Sequence, residues 1–423
     1  MLDAKFIREN SDLVKEAVRN KNEKADVDAF LDLDQKRREL TTAVQELKEL
    51  RNTVTEEIGR KKKSGEDASE AITRMRDVSK RVSEMDDSIR DVEEKLLQQR
   101  LWIPNVPHES VPIGPDESFN VDVRSWGEKP VFDFAPAPHW ELGERLGLFD
   151  LQAGAKVSGS GFILFTGSGA RLERALINFM LDMHTVKHGF TEVSPPFVAT
   201  DESMTGTGQI PKLADDMYRV EDTNLYLIPT GEVPVTNIHR DDTIAGEDLP
   251  VKYVAYSPCF RKEAGAHGKD TRGLIRVHQF DKIEMVMFSR PDKSWDVLED
   301  LVTYAEAVLQ ALELPYRVRT LATGDLSFAA SKCYDLEVFA AGVDKYLEVS
   351  SCSNFTDFQA RRANIRFKPK GGGKSLFVHT LNGSGLALPR TMIALVENHQ
   401  TSKGTVRVPE ALRPYLGGVE EIT

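Results

Sequence analysis

Cysteine is scarce in this chain. Cys259, Cys333 and Cys352 stand far apart, no CxxC pair exists and the count is odd. That spacing argues against a disulfide scaffold or a zinc finger, and buried reduced thiols are the expectation. No run of about 18 apolar residues occurs, so no membrane span is expected. The start, Met1-Leu2-Asp3-Ala4-Lys5-Phe6-Ile7-Arg8-Glu9, is charged throughout and lacks the apolar core of a signal peptide. A cytoplasmic location follows as an expectation. Positive charge is in deficit as well. A net charge of −12 argues against a general nucleic-acid coat, so an RNA partner would have to meet a local basic face. The common nucleotide-binding loops are missing too. Gly371-Gly372-Gly373-Lys374-Ser375 ends like a Walker loop, but the earlier glycine it needs would fall at Lys368. Gly159-Ser160-Gly161 and Gly167-Ser168-Gly169 flank a short apolar run without a following GxGxxG.

What is present points to a soluble globular chain. Its 423 residues suffice for two or three domains, and 40% hydrophobic with 29% charged residues is an ordinary balance. Residues 1 to about 25 read as a short helical start with Leu2, Phe6, Val14 and Val18 on one side. The strongest periodicity lies at about 30–100. Met75, Val78, Val82, Met85, Ile89, Val92 and Leu96 alternate steps of three and four, a sustained heptad seam. Leu33, Leu40, Val44, Leu47, Val54 and Ile58 keep a similar frame, although Arg37 and Arg51 fall on it. Ser64-Gly65-Glu66-Asp67 is turn chemistry between the halves. Two helices of about thirty residues, folded back on each other, would make a hairpin roughly 45 Å long. Lys61-Lys62-Lys63 at its tip, with Arg74, Arg76, Lys80 and Arg81 opposite, supply cationic surface.

Pro104, Pro107, Pro112 and Pro115 then break the pattern, and 104–118 reads as a linker. From 119 to 423 short β-like runs mix with helices. Strands are expected at Gly161–Phe165, Leu225–Ile228, Lys252–Tyr256, Glu284–Phe288 and Tyr346–Ser350, and helices at Ala170–His188 and Lys293–Leu312. Strands that hairpin together predict an α+β fold with an antiparallel sheet flanked by helices.

Two stretches carry chemistry. Phe260-Arg261-Lys262-Glu263 is followed by a Gly-rich basic loop, 264–274, with His267, Lys269 and Arg272, and then by Arg276-Val277-His278-Gln279-Phe280-Asp281-Lys282-Ile283-Glu284. Arg390 closes Gly383-Ser384-Gly385-Leu386-Ala387-Leu388-Pro389-Arg390. Guanidinium groups stay charged and fork onto phosphate oxygens, so two such arginines can grip a nucleoside triphosphate without a Walker lysine. These stretches resemble motifs 2 and 3 of the class II aminoacyl-tRNA synthetases. Met204-Thr205-Gly206-Thr207-Gly208-Gln209-Ile210-Pro211-Lys212 and Thr230-Gly231-Glu232 narrow the resemblance to the bacterial-type seryl-tRNA synthetases, over essentially the whole chain.

That resemblance implies residues 1–103 as a tRNA-binding domain with the hairpin, and 119–423 as a class II catalytic core. It implies Arg261 and Arg390 as catalytic groups, on the α- and γ-phosphates of ATP. Lys262, Glu263, Val277, Phe280, Glu348, Val349, Ser350 and Ser351 complete the ATP site, with Glu263 reading the adenine amino group and Phe280 stacking on the base. Glu348 and Ser351 would hold a Mg²⁺ ion that bridges the phosphates, a metal suited to hard oxygen donors. Thr230, Gly231, Glu232, Glu284, Asn382 and Ser384 would receive L-serine, with Glu284 on its hydroxyl and the holder of its amine left open. No cysteine lies in these pocket segments, so the zinc-using form of the family is not expected. Ser194-Pro195-Pro196-Phe197 resembles motif 1 and implies a homodimer. The hairpin would grip tRNA-Ser, and tRNA-Sec in a host that has it. His278 reads as structural. The alternative function is an amino-acid ligase that loads a carrier protein; such relatives keep the core and lack the hairpin.

Overall fold

A computed structural model describes residues 1–263 and 272–423. The chain forms two compact units: Leu2–Arg19 with Glu23–Pro104, and Met1 with Asn20–Asn22 and Asn105–Thr423.

In the first unit, α1 (Ala4–Glu9) and α2 (Ser11–Asn20) precede α3 (Val27–Ser64) and α4 (Ser69–Leu101). The Asp26 carboxylate caps α3 by accepting from the Ala29 amide. Gly65 ends it at φ 74°, a left-handed conformation that a residue without Cβ adopts freely. Helices of 38 and 33 residues extend roughly 57 and 50 Å at the α-helical rise, longer than the heptad reading predicted. Val44, Leu47 and Val54 are buried on one helix and Val78, Val82, Val92 and Leu96 on the other. Lys48 pairs with Asp86 across them at 3.0 Å. The interruption at Arg37 has a cause. Asp34 is fully buried, and Arg8, Arg37 and Arg38 approach it at 2.7, 3.1 and 3.4 Å. Burial works to raise the Asp34 pKa, but the hydrogen bonds from Arg8 and Arg37 outweigh it and hold the carboxyl below its ordinary value. The apolar seam therefore gives way to an ion cluster at that end.

The second unit is built on an eight-stranded sheet. Its strands are β1 (Val121–Trp126), β2 (Thr191–Glu192), β3 (Val251–Phe260), β4 (Gln279–Ser289), β5 (Tyr316–Thr320), β6 (Lys332–Ala340), β7 (Lys345–Asn354) and β8 (His379–Ala387). The order across the sheet is β1-β5-β6-β7-β8-β4-β3-β2, antiparallel throughout except for β2 beside β3. Three helices, α5 (Gly167–Asp182), α6 (Ser294–Ala311) and α7 (Leu388–Asn398), share one large core with the sheet.

Strand alternation sorts β4 by face. Ile283, Met285 and Met287 enter that helical core, whereas Val286 and Phe288 join a smaller cluster with Val235 and Ala360. Lys282 and Glu284 alternate with the first set and line the site described below. Two bulges interrupt the ladders. Ser350 pairs with Leu336 and Glu348 with Glu337, so Val349 is the extra residue in β7; Gly385 is extra in β8, between the pairs Ser384–Glu284 and Leu386–Ile283. Bulges re-aim neighbouring side chains.

The helix expected at Ala170–His188 starts at Gly167 and closes at Asp182, with a π-helical turn over Met183–Lys187. The strand expected at Gly161–Phe165 contracts to Leu164–Phe165. All three cysteines are buried and unpaired. Among the described residues no helix is long and apolar enough to cross a membrane.

Candidate active site

The hairpin β3–β4 delivers the first arginine. Its register runs from Val251–Phe288 to Phe260–Gln279, and Arg261 leaves its end. The Arg261 amide donates to the His278 carbonyl at 2.9 Å, and the His278 ring returns a bond from Nδ1 to the Arg261 carbonyl at 3.0 Å. His278 thus ties the two strands together. The Arg261 guanidinium lies 5.2 Å from the centroid of the Phe280 ring and donates through Nε to the Pro229 carbonyl at 3.3 Å. No ion pair joins it to a carboxylate among the described residues. Glu263 pairs with Arg276 at 2.8 Å, and Val277 is buried. Lys262 reaches the Asp215 carbonyl at 3.2 Å. Of the basic loop, His267 and Lys269 lie outside the described residues; the Arg272 guanidinium sits 4.5 Å from the Trp140 ring centroid.

Beside this hairpin lies a cluster of buried polar side chains. Thr230, Glu232, Glu284, Asn382 and Ser384 are all buried, and Glu284 is fully so. Gly231 has a steric reason to be glycine, since a Cβ there would come 3.0 Å from the Glu284 Cβ. Glu284 forms an ion pair with Lys282, accepts from Asn382 Nδ2 at 2.8 Å, and accepts from the Thr230 hydroxyl at 3.3 Å. Lys282 also donates to Thr230 Oγ1 at 2.7 Å. Glu232 accepts from Gln359 Nε2 at 2.6 Å, and Gln359 is held in turn by the Thr380 hydroxyl at 2.7 Å. Burial first, and then the charge of Glu284, push the Glu232 carboxyl up to about 7, against smaller opposing effects of Gln359, Lys282 and Arg261. Asn382 Oδ1 is buried without a hydrogen-bond partner among the described residues. A buried orphan acceptor beside a carboxylate short of positive charge suits a small ligand that carries N–H and O–H donors.

Arg390 enters from α7, whose first turn contains Pro389. Its Nε donates to the Ile275 carbonyl at 3.2 Å and its Nη1 to the Glu348 carbonyl at 3.0 Å, with the Glu348 carboxylate at 3.5 Å. The β7 bulge groups Glu348, Val349, Ser350 and Ser351. Glu348 is half-exposed, Val349 is core, the Ser350 hydroxyl donates to the Ser384 carbonyl at 2.7 Å, and the Ser351 hydroxyl donates to Asp335. Burial, then the charge of Glu348, raise the Asp335 carboxyl well above its usual range. Two carboxylates that repel each other next to a hydroxyl form a hard-oxygen set that a divalent cation would relieve. Among the described residues no cluster of three or more His, Cys, Asp or Glu is grouped to hold a metal by itself, so such an ion would need oxygens from its substrate.

The structure therefore gathers Thr230, Gly231, Glu232, Asn382 and Ser384 around Glu284 and joins Glu348 to Arg390. Three residues given no role by the sequence also matter. Lys282 neutralises Glu284, Gln359 holds Glu232, and Asp335 accepts the hydrogen bond of the Ser351 hydroxyl. Only Lys282 had a signal in the sequence, its i, i+2 spacing to Glu284 on a strand.

Comparisons with known proteins show which family the chain resembles over its whole length. Residues 1–107 match the model described as the seryl-tRNA synthetase N-terminal domain, and 218–399 match the tRNA synthetase class II core domain (G, H, P, S and T). A serine–tRNA ligase of Caldanaerobacter subterraneus subsp. tengcongensis is 57% identical over 417 residues, covering 98% of each chain. One from Desulforudis audaxviator is 59% identical over 423 residues, covering 100% of each. The crystal structure of seryl-tRNA synthetase from Pyrococcus horikoshii complexed with ATP superimposes with a TM-score of 0.95 at 40% identity, covering 100% of this chain and 99% of that one.

Proposed function

The chain belongs to the seryl-tRNA synthetases of class II, and from that premise we propose that it activates L-serine with ATP to seryl-adenylate and transfers serine to the 3′ end of tRNA-Ser. Transfer to tRNA-Sec follows where the host has that tRNA. The observation that carries the reading is the cluster of buried polar side chains Thr230, Glu232, Glu284, Asn382 and Ser384, together with Arg261, which makes no ion pair among the described residues.

In this reading a serine carboxylate oxygen attacks the α-phosphorus in line and pyrophosphate leaves. A terminal hydroxyl of the tRNA then attacks the carbonyl carbon of the mixed anhydride and AMP leaves. No side chain acts as nucleophile or general base. Arg261 holds the α-phosphate as charge builds on it, and Arg390 holds the γ-phosphate, so catalysis is positioning and electrostatics. Phe280 offers a face to adenine, Glu263 accepts from its amino group, and the Val277 backbone lies against the nucleotide. Lys262 adds positive charge at the hairpin end. Glu348 and Ser351 would hold Mg²⁺, which neutralises phosphate charge when bound.

Within the pocket, Glu284 is already neutralised by Lys282 and held by two donors, which suits accepting from the substrate hydroxyl. Glu232 makes no ion pair among the described residues and feels Lys282 and Arg261 only weakly, so it pairs with the substrate ammonium. A testable pH dependence follows. Its folded pKa, about 7, lies above the ordinary carboxyl value of 4.5. The fold therefore binds this proton more tightly than the unfolded chain, a stabilisation complete below about 4.5 and lost as pH rises through about 7. Ammonium binding needs the ionised form, so the serine KM falls about tenfold between roughly pH 6 and pH 8. Glu232→Gln flattens that profile; an unchanged slope in the variant would assign the titration to another group.

The family's motif 1 corresponds to Ser194-Pro195-Pro196-Phe197, and we place the homodimer there. Phe197 stacks edge-on against Tyr256 at 6.2 Å and stays 38% exposed, an aromatic left for a second copy to cover.

Pyrophosphate exchange across the twenty amino acids tests the activation step, and serine alone should support it. Shortening the α3–α4 hairpin across residues 30–100 should leave that exchange within about threefold yet lower tRNA charging by a hundredfold or more, because the arm supplies phosphate and shape contacts. Full charging without the hairpin would contradict the role given to the arm, and exchange with serine but no tRNA charging by the intact protein would favour a carrier-loading ligase.

A further inference from the structure

His184 has no part in the chemistry above, yet it is fully buried against the strand that carries Ser384. It sits in the π-helical turn Met183–Lys187 that follows α5. Single π-turns inside helices re-aim a side chain and recur at functional sites. Here the turn directs the imidazole at the Gly385 carbonyl, with Nε2 at 3.3 Å. A carbonyl only accepts, so Nε2 carries the proton. The other ring nitrogen faces His188 Nδ1 at 3.0 Å, and His184 Nδ1 therefore accepts from it. His188 is itself stacked on Tyr304, with ring centroids 4.5 Å apart. Burial lowers the His184 pKa to about 4, which keeps this neutral arrangement.

Gly385 is the extra residue of the β8 bulge. It falls between Ser384, opposite Glu284, and Leu386, opposite Ile283. A bulge takes one residue out of the ladder and leaves its backbone groups to find other partners. His184 supplies one. The ring also fills the space a side chain would need, since a Cβ on Gly385 would lie 2.5 Å from His184 Nε2. On the far side of the same bulge, the Ser384 carbonyl accepts from Ser350 at 2.7 Å. The residue that should face the substrate is thus fixed from two directions.

We propose that His184 is a positioning residue: by bonding the Gly385 carbonyl it holds the β8 bulge that aims Ser384 into the amino-acid pocket. The proposal rests on the reading of that pocket as the serine site. Serine-dependent exchange by the unaltered protein is the control that separates failure of that reading from failure of this one.

Three substitutions test it in the full chain, with KM for serine and for ATP measured separately by pyrophosphate exchange. His184→Phe keeps a ring and removes the bond. His184→Gln places an amide N–H where Nε2 was. His184→Asn carries an amide too short to reach Gly385. The serine KM should rise about tenfold to a hundredfold in the Phe and Asn variants, the range expected when a substrate group is misplaced by a fraction of an ångström to 1 Å. The ATP KM should stay within about threefold, and Gln should recover most of the serine loss. The proposal fails if Phe leaves the serine KM unchanged, if serine and ATP constants rise together, or if Gln is no better than Asn. Should Phe not fold, the Gln–Asn comparison decides alone.

Discussion

Arg261→Ala lowers serine-dependent pyrophosphate exchange by about a thousandfold while the protein melts within a few degrees of the parent. The large effect follows from where the charge builds. A donor set in advance against a developing oxyanion is worth about 10²–10³ in rate, and arginines that stabilise phosphoryl transition states reach 10³–10⁵. The small stability effect follows from its contacts. Arg261 bonds one carbonyl at 3.3 Å and faces the Phe280 ring, and it joins no carboxylate among the described residues. Substitutions that break no buried network stay near ±0.5 kcal/mol in typical cases. Arg261→Lys should fall between the two, since it keeps the charge but not the fork. Exchange at the parental rate in Arg261→Ala would remove this residue from the activation step.

Glu284→Gln is expected to have the second largest effect, on selectivity as much as on rate. A pocket that hydrogen-bonds a substrate hydroxyl can reject the analogue without it by about 10⁴–10⁵, because its buried polar groups would be left unpaired. Alanine is that analogue. In Glu284→Gln the carboxylate no longer neutralises Lys282 or accepts from Asn382 and Thr230 together. The preference for serine over alanine, read as the ratio of kcat/KM in exchange, should shrink to about a hundredfold or less, and kcat/KM for serine should fall by about 10² or more. Glu284→Ala goes further and leaves the Lys282 ammonium buried alone, at about 3–5 kcal/mol of stability. Unaltered discrimination in Glu284→Gln would mean that the hydroxyl is read elsewhere.

The sequence was legible where function needs a local run. The hairpin announced itself through its heptad seam, and each of the two arginines through the short run around it, one at the end of a β-hairpin and one at a helix start. Less was legible where the fold joins distant segments. Gln359 reaches Glu232 from another part of the chain, and Asp335 meets Ser351 only because β6 and β7 pair in that register. Neither bulge is visible in a period-two pattern, since Val349 and Gly385 each look like one more strand residue. Helix ends were blurred for a related reason. Apolar spacing continues through the π-turn after Asp182, where the backbone does not. The break in the seam at Arg37 had no local explanation, because its partner Asp34 is also bonded by Arg8 from a different helix.

A crystal structure with a non-hydrolysable seryl-adenylate analogue tests the account most directly. Adenine should lie against Phe280, the bridging phosphate or its mimic on Arg261, the hydroxyl on Glu284 and the ammonium on Glu232. An analogue bound with its serine moiety outside that pocket, or with Arg261 turned away from the phosphate mimic, would contradict it.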